Sequence, residues 1–258
     1  MTRVAIVTGA ARGIGAATVR RLVADGWSVV AVDLCDDDPA VPYPLGTRAE
    51  LESLRGLGAV STVVADVRDL DALARAVDHA LATYGGLDAA LAIAGVVAGG
   101  APQWKTGLAA ERAVLDIDLG GVLNLARVAV PAQLERPEPR SGRFIGIASA
   151  AATRGLPRLA AYCAAKAGVA GFIRALATDL AGTGVTANAV SPGSTATPAL
   201  DASAVLYDLP DTSGFVEQQP IGRLLTPAEV AAAIAWLAGP DSSGITGATL
   251  PVDGGLSV

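Results

Sequence analysis

Seven short apolar runs recur along the chain, and longer alanine-rich stretches of helical period separate most of them. The runs lie at residues 4–7, 29–32, 62–65, 89–92, 144–147, 186–190 and 249–252. The helical stretches lie at 15–25, 71–83, 111–134, 159–180 and 227–238. Such runs are too short for helices and too continuously apolar for strands with one wet face. Strands buried on both sides and joined through helices form a parallel sheet, because each crossover returns the chain to the same sheet end. The pattern predicts an α/β fold: a doubly wound parallel sheet of about seven strands with helices on both faces. Neither an internal repeat nor a low-complexity linker interrupts it, so one domain over 1–258 is expected. A chain of 258 residues can bury a full core without disulfides or a structural metal.

Composition narrows function by exclusion. Hydrophobic residues make up 52% and charged residues only 17%, which raises the question of a membrane. The longest uncharged stretch, 180–200, carries Asn188, Pro192 and Pro198; the next, 89–104, is broken by Gly95, Gly99, Gly100 and Pro102. Neither reads as a spanning helix. The first apolar run begins at Val4 and is closed by Arg12, so no leader is read there and a cytoplasmic location is expected. The formal net charge is -6 and the basic residues are scattered, which leaves no nucleic-acid footprint. Cys35, Cys163 and the single histidine, His79, offer no disulfide framework, no metal cluster and no Ser-His-Asp triad.

Ligands of such sheets bind where strands end and helices begin. The first junction reads Thr8-Gly-Ala-Ala-Arg-Gly-Ile-Gly15. Gly9 allows the tight turn, Gly13 lets backbone approach a pyrophosphate, and Gly15 permits close helix packing, with the helix N-terminus facing the anion. The second run ends near Asp33, about the ~20-residue offset at which a carboxylate holds a ribose diol. A 2′-phosphate would meet that charge, so NAD is favoured over NADP. Arg12 pulls toward the phosphate, but Asp33 lies closer to the ribose in the expected geometry.

A second constellation carries chemistry. Tyr162 and Lys166 stand one helical turn apart on one face. An ammonium beside a phenol stabilises the phenolate and makes a general acid/base. The chain uses 17 arginines but only two lysines, Lys105 and Lys166, so a lysine at 166 is not a compositional habit. A compact charge with three donors can reach both ribose hydroxyls and a tyrosine. Ser149, just past the fifth run, can hydrogen-bond a substrate oxygen while Tyr162 moves the proton; the alternative is a helix-capping serine.

With these residues the chain resembles the short-chain dehydrogenase/reductase family. The resemblance rests on Thr8-Gly-x3-Gly-x-Gly15, Ser149 and Tyr162-x3-Lys166, and on Asp66-Val67, Ala94-Gly95, Pro192-Gly193 with Thr197, and the closing 246–255 segment. It covers nearly the whole chain. It implies a Rossmann-type fold and hydride transfer between NAD and an alcohol or ketone, with Ser149, Tyr162 and Lys166 catalytic. It further implies cofactor contacts from Gly9, Arg12, Gly13, Ile14, Gly15, Asp33, Leu34, Asp66, Val67, Ala94, Gly95, Pro192, Gly193, Thr195 and Thr197. Tyr162 and Lys166 would touch the ribose and Thr197 the carboxamide. Relatives pair helices equivalent to 111–134 and 159–180, which implies a homotetramer.

Three departures stand out. The family's usual Asn-Asn-Ala-Gly is Ala92-Ile-Ala-Gly95 here, and Asp116-Ile-Asp-Leu119 places Asp118 where a catalytic asparagine is usual. An ionised carboxylate cannot donate the amide's hydrogen bond. Asp118 is read as a fourth participant that either holds a water near Lys166 or pairs with it. The third departure is extra length between Asp33 and Asp66, loop-like over 35–46 and helical near 48–57. This insertion resembles that of the subfamily associated with mycofactocin, a peptide-derived redox carrier. The resemblance implies NAD that is covered, exchanges poorly and is reoxidised by such a carrier, with Val41, Tyr43 and Leu45 closing over the adenosine half. A plain acidic surface loop is the alternative.

Residues 198–222 read as a lid over an apolar pocket formed with Val96, Val97, Leu156, Leu200, Leu206, Tyr207, Leu209 and Phe215. No arginine or lysine occurs from 178 to 222, which argues against a carboxylate or phosphopantetheine handle. An apolar secondary alcohol or its ketone is the favoured substrate. An NADPH-dependent 3-oxoacyl or polyketide-type ketoreductase and a non-catalytic NAD-binding sensor are the competing readings.

Overall fold

In the computed structural model, which describes residues 2–258, each apolar run is a strand: β1 (Val4–Thr8), β2 (Ser28–Asp33), β3 (Val60–Val64), β4 (Ala89–Ala92), β5 (Arg143–Ile147), β6 (Thr186–Pro192) and β7 (Thr249–Val252). They form one sheet in the order β3-β2-β1-β4-β5-β6-β7, every pair parallel. The helices are α1 (Gly13–Ala24), α2 (Arg48–Ser53), α3 (Leu70–Tyr84), α4 (Leu108–Leu115), α5 (Gly121–Leu134), α6 (Ala160–Asp179), α7 (Pro198–Leu206), α8 (Ser213–Val216) and α9 (Pro227–Ala238).

Alternation along the strands divides the core in two. Ala5 and Val7 of β1 face a layer with Val19 and Leu22 of α1 and Ile234 and Leu237 of α9. Val4 and Ile6 face the opposite layer, with Leu73 of α3, Leu125 of α5 and Ile173 of α6. Each strand is therefore apolar at consecutive positions, as a sheet covered on both faces requires. The chain winds outward from β1 to β3, returns to β4, and winds the other way to β7. This reversal opens a crevice at the carboxyl ends of β1 and β4, the ligand position of such folds.

The stretch 111–134 is helical throughout, but α4 and α5 within it are joined by a π-helical turn, Asp116–Gly120. A wider turn inserts one residue into the helical repeat, shifting which side chains face inward. Asp118 is thereby turned into the core, where it is fully buried. Helix α6 is long and apolar enough to cross a membrane by length and composition, although Lys166 and Arg174 keep it from being an uncharged stretch. In this fold its inner face, with Val169 and Ile173, packs against the sheet.

Candidate active site

The crevice is a continuous cleft with two lobes, of about 180 and about 480 Å³. The smaller lobe lies over the β1–α1 junction. Thr8 Oγ1 accepts the Ile93 and Ala94 amides at 3.1 and 3.2 Å, which ties the end of β1 to the exit of β4. Gly9 follows with φ +66°, and a Cβ there would stand 2.7 Å from Ala94 Cα. Only glycine satisfies both the left-handed turn and that approach. Helix α1 then starts from Arg12, which supplies no side-chain cap, whereas Thr47, Asp69, Thr197 and Thr226 cap α2, α3, α7 and α9. Uncapped amides at Gly13, Ile14 and Gly15, on the cleft wall, form a cradle that suits a pyrophosphate. Asp33 stands beside it, its Oδ2 accepting the Ala11 amide at 2.9 Å. These features fit a dinucleotide.

The larger lobe holds the chemistry-bearing side chains. Ser149, just past β5, accepts the Ala151 amide at 3.1 Å, so it does cap a short turn while its hydroxyl also faces Tyr162. Tyr162 opens onto the lobe from the first turn of α6. One turn later Lys166, 3% exposed, donates to Ile147 O at 3.1 Å and lies 3.1 Å from Asp118 Oδ2. The other oxygen of Asp118 accepts the Val96 amide at 2.8 Å. The Lys166 contact is an ion pair at an angle outside good hydrogen-bond geometry. Burial pushes the Asp118 carboxyl above its ordinary value, and the Lys166 ammonium and the Val96 amide pull it back down; with a donor beside each oxygen, the geometry favours the carboxylate.

Burial would push Lys166 below its ordinary value, but the Asp118 carboxylate reverses this and holds the ammonium above it. Burial also pushes Tyr162 up; Lys166 pulls it down, Asp118 pushes it back up, and Ser149 lowers it.

The insertion spans the cleft as a strap. Arg12 Nη2 donates to Pro44 O at 2.6 Å and its guanidinium lies 5.9 Å from the centre of the Tyr43 ring. Tyr43 Oη accepts the Val97 amide at 3.0 Å, and burial pushes its phenol up to about 12. Asp38 Oδ2 pairs with Arg68 Nη1 at 2.7 Å, and the same guanidinium grips Asp66.

Every residue named from the sequence for cofactor or catalysis lines one of the two lobes: the glycine loop, Asp33, Leu34, Asp66, Val67 and Ala94 the smaller, and Asp118, Ser149, Tyr162, Lys166, Pro192, Gly193 and Thr195 the larger, with Gly95 and Thr197 on both. Some details differ. Tyr43 reaches beyond the adenosine half, to pack with Val97, Leu159 and Tyr162. Arg12 is spent on the strap, and the Asp66 carboxylate is held by Arg68. Leu206 packs with Val97 and Leu159 behind the wall rather than on it. Ser194, Ser203 and Gln218, which the sequence reading missed, add polar atoms to the larger lobe. Polar residues in a lid segment carry no spacing signal that marks them.

A doubly wound sheet with this loop and a Ser-Tyr-Lys group at its switch point defines a dinucleotide-dependent oxidoreductase. A family model described as Enoyl-(Acyl carrier protein) reductase matches residues 9–257, and the chain belongs to the short-chain dehydrogenase/reductase family. It is 40% identical over 258 residues to a cis-4-hydroxycyclohexanecarboxylate dehydrogenase of Sinomonas cyclohexanicum, covering 99% of this chain and 96% of the relative. An acetoacetyl-CoA reductase of Allochromatium vinosum is 36% identical over 256 residues, with 99% of both chains covered. Among solved structures, carveol dehydrogenase from Mycobacterium avium in complex with NAD superposes with a TM-score of 0.93 at 31% identity, covering 98% of this chain and 97% of the other.

Proposed function

We propose that this chain is an NAD-dependent oxidoreductase that interconverts an apolar secondary alcohol and its ketone. The observation that carries the reading is the placement of Tyr162 and Ser149 on the wall of a lobe that also carries apolar side chains such as Val97, Leu156, Leu209 and Phe215. The bound nicotinamide supplies the hydride acceptor or donor. Ser149 holds the substrate oxygen; Tyr162 takes the alcohol proton in oxidation and returns it to the carbonyl oxygen in reduction. Lys166 keeps its ammonium beside the phenol, and its remaining donor serves the ribose. Residues 198–222 act as the substrate lid of the single domain, and 33–58 as its cofactor-side segment. Asp33 and the engagement of Arg12 by Pro44 support NAD over NADP.

The strap supports a finer reading, in which NAD is held between turnovers and reoxidised in place by a mycofactocin-type carrier. Two of its ties, Tyr43–Val97 and Arg12–Pro44, involve residues of the cleft wall that a departing dinucleotide would pass, and Asp38–Arg68 anchors the strap beside Asp66. Assembly into a homotetramer is supported by Trp104, 83% exposed in the turn before α4, by Leu108, 66% exposed at the start of α4, and by Ala160, Ala164 and Ala167 exposed along α6; sedimentation mass tests it. The two free cysteines suit a cytoplasmic setting.

The central test is oxidation of cyclic secondary alcohols, carveol among them, with NAD+ and with NADP+. Tyr162→Phe should lower kcat by ~10²–10⁴-fold while NAD binding persists. Near wild-type turnover in that variant, or a tenfold preference for NADP+, would refute the reading.

A further inference from the structure

Buried Lys166 and Asp118, with half-buried Tyr162, form a group whose summed charge depends on one proton. Asp118 is 0% and Lys166 3% exposed, with 3.1 Å between Oδ2 and Nζ. Residue 118 faces a donor on each side, the Val96 amide at 2.8 Å and the Lys166 ammonium. An asparagine there would turn its NH₂ toward one of them, whereas a carboxylate accepts the Val96 amide and carries the charge that pairs with the Lys166 ammonium. Gly95 makes room for the pair: a Cβ at 95 would meet Lys166 Nζ at 3.2 Å and Asp118 Oδ2 at 3.3 Å. The other ionisable groups facing the triad are Cys163 on α6 and Tyr43 of the strap, backed by Arg12; Ser149 adds a hydroxyl.

We propose that Asp118 is a positioning residue that keeps the Asp118–Lys166–Tyr162 triad neutral while Tyr162 is protonated, so that the proton on Tyr162 follows the charge of a bound nicotinamide. This rests on the function proposed above. The argument is electrostatic: a buried group avoids net charge. With Asp118 ionised and Lys166 protonated, the triad sums to zero with tyrosine and to minus one with tyrosinate. An asparagine would change those sums to plus one and zero, favouring the tyrosinate whatever the cofactor state. An oxidised nicotinamide ring adds one positive charge, which the tyrosinate then balances; a reduced ring adds none. Tyr162 is thus a base for alcohol oxidation and an acid for ketone reduction, each in the form the direction needs.

The chain has only four tyrosines and, by count, two lysines, so nuclear magnetic resonance of specifically labelled side chains can follow both groups without turnover. With ¹³Cζ-tyrosine, the signal lost in Tyr162→Phe reports Tyr162. In the protein without dinucleotide, Asp118→Asn should move its titration down by ~1 pH unit. In wild type, the midpoint should be lower with NAD+ than with NADH. An unmoved or raised midpoint in Asp118→Asn overturns the proposal. Should that variant not fold, ¹⁵N-lysine spectra of wild type decide: Lys166 must stay protonated above the ordinary lysine value of ~10.4, and titration at or below it overturns the proposal. Full turnover by Tyr162→Phe would refute the assigned reaction while leaving these titrations readable, so the two failures are distinct.

Discussion

Replacing Tyr43 with phenylalanine removes a single hydroxyl from the strap and should loosen the hold on NAD. In the closed strap that hydroxyl accepts the Val97 amide at 3.0 Å, and Val97 is 4% exposed, so little solvent reaches that amide while the strap is closed. Phenylalanine keeps the ring and its packing but leaves a buried N–H unsatisfied, which costs about 1–3 kcal/mol. When the strap opens, the amide meets water and that penalty vanishes, so the closed state alone is destabilised. At 1.4 kcal/mol per tenfold, release of NAD should accelerate by ~5- to ~150-fold. Closure persists, because Arg12–Pro44 and Asp38–Arg68 are untouched. The assay loads each protein with radiolabelled NAD, chases with unlabelled NAD, and separates bound from free at timed intervals. A release rate within twofold of wild type would refute the argument that the Tyr43 tie governs exit.

Two further outcomes follow from the same geometry. Gly9→Ala forces an L side chain into φ +66° and against Ala94 backbone at 2.7 Å, so calorimetry should show destabilisation by about 1–3 kcal/mol and titration a loss of NAD affinity. The carboxyl of Asp38 is held below its ordinary value, first by the Ala40 amide and then by Arg68, against burial. A depressed carboxylate stabilises the closed strap above its unfolded value, near ~4, and loses that contribution as pH falls through the folded value. NAD release should therefore be flat from about pH 5 to 8 and quicken in more acid solution, while Asp38→Asn should release faster throughout and lack the acid rise; a flat wild-type profile down to about pH 3 would contradict this.

Strand positions were legible because burial on both faces leaves a direct mark, a run of apolar residues at consecutive positions. All seven runs overlap the observed strands, and two of them, Ala89–Ala92 and Thr249–Val252, coincide in both bounds. The π turn was not legible, since Asp116–Gly120 continues a helical pattern and one extra residue per turn leaves no compositional trace. Tyr43 was legible as part of an insertion but not as a tie to Val97, whose partner lies 54 positions away.

The amino-acid order by itself determined the layered parallel sheet, the glycine loop at its first turn, and the one-turn spacing of Tyr162 and Lys166, because each depends on local period or local conformational freedom. Whether Asp118 pairs with Lys166 or only holds a water near it was decided in three dimensions. A carboxylate in an apolar stretch is chemically ambiguous until its neighbours are known: in water it would be a solvated surface charge. The π turn buries it, Gly95 leaves it room, and the ammonium of Lys166, 48 positions along the chain, supplies the counter-charge that makes burial possible. Charge pairing across such separations depends on distance in space, which the fold sets and the order of residues does not display.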